Sequence, residues 1–103
     1  MAIRPEGLQA VTSGTSASVS AGVGVLIVNP ASLLPTLAIT LPASPADRDD
    51  LYILAGGTIV NGAVVTAFSV VGSVIGSIPT SLTAGVSQHY KYFQSIGKWY
   101  RIV

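Results

Sequence analysis

TLAITLPASPADRDDLYIL, residues 36–54, decides how this chain is read. In its first half Leu37, Ile39 and Leu41 alternate with Thr36, Ala38 and Thr40. An extended chain with that period carries one apolar face and one face of small polar or methyl groups. Pro42 and Pro45 then end the strand, because proline holds φ fixed and has no N–H to give a ladder. Asp47, Arg48, Asp49 and Asp50 follow, and Leu51 opens a second β-rich run. Three of the chain's four acidic residues therefore sit in one corner between two strands.

The same alternation recurs in both directions. It predicts strands over residues 24–30, 36–41, 51–57, 63–71, 74–78, 88–94 and 98–103. Ser95-Ile96-Gly97 joins the last two as a short connection containing glycine, which suits a bulged hairpin. The connections NPASLLP, PASPADRD, AGGTIVNG and PTSLTAGVS are rich in turn-forming residues. No segment carries a helical stripe, although Asn29-Pro30 is placed to start one helical turn near Ala31–Leu34. The expectation is an all-β fold, a small antiparallel β-sandwich or barrel. No strong internal repeat is visible. The Ser/Thr/Ala/Gly-rich stretch from Thr12 to Ser20 reads as a linker, dividing an N-terminal arm (residues 1–21) from a β domain (residues 22–103).

Composition sharpens the problem. The chain has 103 residues, half of them hydrophobic, and only 9% are charged. A chain this short buries only about 60–65% of the surface its unfolded form exposes. It has more apolar side chain than one small core hides, so a membrane, a partner or further copies of itself must cover the rest. The net charge of +1 and the scattered Arg4, Arg48, Lys91, Lys98 and Arg101 give no basic face for nucleic acid. There is no cysteine, so disulfides and thiolate sites are excluded. MAIRPEGLQAV places Pro and Glu where a signal peptide would begin its apolar run, so no secretion signal is expected.

Residues 7–46 and 51–90 hold no Asp, Glu, Lys or Arg, and each is long enough for a membrane helix of about 20 residues. Gly72 and Gly76 even form a GxxxG pair. Prolines at 30, 35, 42 and 45 break the first segment, while Gly56, Gly57, Asn61 and Gly62 open the second. The apolar remainder is Val, Ile, Thr and Ser, which favour strands. No membrane contact is expected, and a small helical membrane protein is the alternative held against the β reading.

Few residues invite chemistry. Aspartates in turns accept bonds from nearby backbone N–H groups, which accounts for Asp47, Asp49 and Asp50. The sharper reading of the same three is a hard-cation site, but the alternating ligands and closing Glu of a calcium loop are missing. His89 is the only histidine, which makes a metal site within one chain improbable. AGGTIVNG lacks a nucleotide-binding pattern. No cofactor and no catalytic group are assigned, and an enzyme is the least favoured class. Tyr90, Tyr92, Phe93, Trp99 and Tyr100 crowd the end of the chain. Each buried ring removes about 150–250 Å² from water, so this hairpin is expected to dominate the core or a subunit interface.

Taken in order, the strand ending in Leu-Pro-Ala-x-Pro, the Asp-rich turn, Gly-Gly-Thr, Leu-Thr-Ala-Gly and the closing Tyr-x-Tyr…Lys-Trp-Tyr-Arg-Ile resemble small β domains of tailed-phage virion proteins. The resemblance covers roughly residues 24–103. It implies a homotrimer without catalytic residues, on the capsid surface of a virion made in the host cytoplasm, with the major capsid protein as partner. No fibre shaft precedes the domain in this sequence, which favours a capsid decoration or head-fibre protein over the receptor-binding tip of a tail fibre. The expected capsid-docking arm is MAIRPEGLQAVT. In it Ile3, Leu8 and Val11 supply apolar contacts, Arg4 and Glu6 supply polar ones, and Pro5 lies between them.

Overall fold

A computed structural model describes residues 7–102 and contains ten strands and no helix among them. In chain order these are β1 (Gly7–Val11), β2 (Ser16–Ser18), β3 (Val23–Val28), β4 (Leu34–Thr40), β5 (Asp50–Ala55), β6 (Ala63–Val71), β7 (Val74–Ile75), β8 (Leu82–Thr83), β9 (Ser87–Phe93) and β10 (Lys98–Arg101). They form two mixed sheets. Sheet A has the order β1-β3-β5-β9-β10-β7, and sheet B has the order β2-β4-β6-β8.

The first six strands alternate between the sheets, so the chain winds through three turns, each giving one strand to sheet A and one to sheet B. Neighbouring turns pair in parallel: β1 with β3, β3 with β5, β2 with β4, and β4 with β6. Parallel neighbours cannot be joined by a tight hairpin and need a long crossover. Here the crossover from β3 to β5 is itself a strand, β4, in the other sheet. The ladder continues round the corners. Asn29 N–H donates to Val11 C=O (2.9 Å) and Gly56 N–H to Val28 C=O (3.0 Å) on one side, and Val19 N–H donates to Thr40 C=O (2.9 Å) on the other. Gly57 sits at such a corner with φ of 83°, and a Cβ there would lie 2.4 Å from that of Asn29. Antiparallel pairing closes the far end, through β5–β9, β9–β10 and β6–β8.

The expected antiparallel fold is therefore corrected to a mixed one. Alternation has the same period in parallel and antiparallel strands, so it predicts strands without predicting their partners. The helical turn near Ala31–Leu34 is also corrected: β4 begins at Leu34. Pro35 is tolerated inside β4 because the β4–β6 register passes over it, from Leu34↔Val65 to Thr36↔Ala67, so no ladder bond is asked of a residue without an N–H. No helix of the described residues is long and apolar enough to cross a membrane.

Part of the expected arm lies within the sheets. Gly7–Val11 and Ser16–Ser18 are the edge strands of sheets A and B, and Val11 and Val19 are buried in the core. Gln9 clamps this first turn: its Nε2 donates to Ser18 C=O (2.9 Å), and its Oε1 accepts from Ser20 N–H (3.0 Å). Both sheets contribute to one core that includes Leu26, Leu37, Ile39, Leu51, Ile53, Phe68, Tyr90 and Trp99. Tyr90 is fully buried, and its hydroxyl donates to Gln88 Oε1. Burial pushes its phenol up to about 12, against a smaller opposing pull from Arg101.

Candidate interaction face

The outward positions of sheet A form the most unusual surface of the molecule. In β3 and β5 every second residue is buried, which turns Val23, Val25 and Ile27, then Asp50, Tyr52 and Leu54, outward. Strand register lines these up in rows. Leu8, Val25, Tyr52 and His89 make one row, and Ala10, Ile27, Leu54 and Ser87 the next. A third row runs Asp50, Lys91, Tyr100 and Ile75. Leu8 is 66% exposed and Tyr52 42% exposed. At the hairpin end Phe93 and Tyr100 meet edge to face at 5.5 Å and, with Ile96 and Ile102, line a shallow apolar hollow. Apolar patches that span several strands mark interaction sites far more often than scattered exposed hydrophobes do.

Ser87 and the exposed Lys98 lie toward the margins of this face, and one group of paired polar side chains lies within it. Asp50 Oδ1 accepts from His89 Nε2 at 2.7 Å and from Lys91 Nζ at 3.2 Å. Tyr52 stacks on the His89 ring, with centroids 4.2 Å apart and planes 11° from parallel. All three polar side chains are at least two-thirds buried. Partial burial works to raise the Asp50 pKa, but the hydrogen bonds and positive charge of His89 and Lys91 outweigh it and hold the carboxyl below its ordinary 3.8. An ionised carboxylate only accepts, so Nε2 is the protonated nitrogen of His89.

The aspartate corner works as a turn. Asp49 Oδ2 accepts from Ala46 N–H and Asp47 Oδ1 from Gln94 N–H, each at 2.8 Å. Arg48 N–H donates to Tyr92 C=O (2.7 Å), and Tyr92 N–H donates back to Asp49 C=O (2.9 Å). Arg48 holds a positive φ of 64° in this turn. The corner is thereby pinned to the closing hairpin. Asp47, Asp49 and Asp50 point to three different partners, and no group of three metal-ligating side chains occurs among the described residues.

The aromatic cluster divides. Tyr90 and Trp99 are core residues. Tyr92 packs on Trp99 at 5.5 Å, while Phe93 and Tyr100 belong to the outer face. Of the docking residues, Ile3, Arg4, Pro5 and Glu6 lie outside the described residues. Leu8 is exposed on β1, but Val11 is buried, so it offers no docking contact. The Asp50–His89–Lys91 group has no local signature in sequence. Its one clue is that His89 and Lys91 are two apart in a strand and so share a face.

Fold and face together define a class: a small all-β module, wound in parallel turns, with an apolar sheet surface. No protein-family model matches the chain, and no curated protein matches it. A solved structure described as "Structure of a chaperone-substrate complex" contains a chain with a similar fold, with a TM-score of 0.60 and 18% identity over 94% of this chain. This chain spans 16% of the length of that one. At that identity the likeness speaks to the fold alone.

Proposed function

We propose that this protein is a non-enzymatic virion structural protein: a homotrimeric capsid decoration or head-fibre protein, built as a two-sheet sandwich and docked on the major capsid protein of a phage shell. The observation that carries the self-association is the apolar outer face of sheet A. Fully burying a Val, Leu or Ile side chain stabilises by about 1.5–3 kcal/mol. Leu8, Val25, Ile27, Tyr52 and Leu54, already partly covered, would together contribute roughly half of that sum, about 4–7 kcal/mol. Association costs about 4–15 kcal/mol in lost freedom, so one such contact is weak. A closed ring, in which each chain meets two neighbours, favours assembly more. The virion assignment is supported by the motif order of residues 24–103.

Mass by light scattering at high concentration tests the first half: a three-chain mass is expected, and a single-chain mass refutes it. For docking, the strand character of Gly7–Val11 narrows the arm to residues 1–6, since Leu8 belongs to the self-association face. Deleting residues 2–6 should leave a folded assembly that no longer binds shells, and normal occupancy by the truncated protein refutes the arm. A second reading, the receptor-binding tip of a tail fibre, is favoured by the occurrence of a similar fold as a small part of a much longer chain. Copy number per particle separates the two: hundreds for decoration, a few dozen or fewer for a fibre.

A further inference from the structure

We infer that the Asp50–His89–Lys91 group makes self-association through sheet A depend on pH, with protonation of His89 opening the assembly. This rests on the preceding reading that the face meets a second copy. The group lies inside the apolar face: Val25 adjoins Tyr52 in one row, and Tyr100 adjoins Lys91 in the next. Covering the face removes these side chains from water, and uncompensated charge is costly to desolvate. With His89 neutral, the Asp50 carboxylate and Lys91 ammonium cancel. In a closed ring whose covered faces turn toward one axis, a net charge on one copy is repeated on each neighbour it meets, so this balance favours assembly.

Protonation of His89 changes the sum to +1 on every chain. Histidine is the side chain that ordinarily changes charge between about pH 5 and pH 8. Among the described residues, the groups facing the imidazole include no second carboxylate to absorb that charge. β5 supplies Asp50 and Tyr52, and β9 itself supplies Lys91. From β10, Tyr100 stands opposite Lys91, while the Arg101 side chain is engaged at Ser77 C=O (2.7 Å). Beyond β10, Ile102 N–H donates to His89 C=O at 2.8 Å. On the β3 side the neighbour is Val25. Asp47 and Asp49 are committed to the turn. The carboxylate of Asp50 stays ionised through this range, so the added proton resides on the histidine.

The test is sedimentation velocity on the full chain at about pH 8 and about pH 5, with circular dichroism as a check on folding. The association constant of the unaltered protein should fall at least tenfold at the lower pH. His89→Gln should stay assembled with a flat profile. Lys91→Met should invert the profile, because its group is −1 at the higher pH and neutral once His89 is protonated. A merely structural His89 would not produce that inversion. Equal association at both pH values, or a Lys91→Met profile falling like that of the unaltered protein, overturns this inference alone. A single-chain mass at both pH values overturns the self-association reading and this inference with it.

Discussion

The two sheets are alike inside and opposite outside. Their inner faces share one core of Leu, Ile, Val and aromatic side chains. Outside, sheet B presents Ser16, Ala38 and Ser69 in one row, Thr36 and Ala67 in another, and Ser18, Thr40 and Val71 in a third. The equivalent rows of sheet A carry Leu, Val, Ile and Tyr. Both sheets begin with three parallel strands followed by an antiparallel one, and both need a buried face. Sheet A carries large apolar groups in every one of these rows, where sheet B carries Val71 among small and hydroxyl side chains. Parallel strands covered on both sides read as continuous apolar runs, whereas strands wetted on one side alternate. VLIV in β3 and LYILA in β5 follow the first pattern, and TLAIT in β4 follows the second.

That contrast can be broken at several strengths. The largest effect should be equal on the two sides: Leu37→Ala inside sheet B and Ile53→Ala inside sheet A each remove a fully buried side chain. Each should cost about 2–5 kcal/mol, read from denaturant midpoints. A sharp inequality would mean that the two inner faces do not share one core. Outside, the effect should be one-sided. Leu54→Lys should weaken self-association about a hundredfold, roughly 2.7 kcal/mol, while Ala67→Lys should leave the measured mass unchanged.

A smaller effect belongs to the polar group on sheet A. Asp50→Asn should cost about 1–2 kcal/mol at neutral pH, since it removes the charge of the carboxylate that accepts from His89 and Lys91. The folded-state pKa of Asp50 lies below its ordinary value. Its contribution is therefore complete above about pH 4 and is lost as pH falls through the lowered value. Melting temperatures followed into acid should decline less steeply for Asp50→Asn than for the unaltered protein. The smallest effect should come from Thr36→Val on the outside of sheet B, within about 0.5 kcal/mol and without change in mass. Association induced by that one methyl would erase the difference between the faces.

Strands were legible in the sequence wherever alternation or an apolar run extended over several residues. β6 falls at residues 63–71 as read, and the others shift by a few residues at their ends. β1, β2 and β8 were not legible. GLQAV, SAS and LT are short and rich in small or polar residues, and long-range pairing with β3, β4 and β6 makes them strands. The turn role of Asp47 and Asp49 was legible because an aspartate beside proline meets nearby backbone N–H groups. The Asp50–His89 contact was not, because it joins residues 39 apart through the pairing of β5 with β9. The excess of apolar side chain was evident from composition. Its concentration on one face was not, because sheet membership depends on where each corner sends the chain.

The winding also bears on how the molecule forms. Each strand of the first two turns must wait for a neighbour that lies a whole turn further along the chain, so little of the body is stabilised by local contacts. Domains built this way close large loops before any ladder offsets the lost entropy, and they fold in about milliseconds to seconds rather than microseconds. During synthesis β1 and β2 emerge before β3 and β4, the strands they pair with.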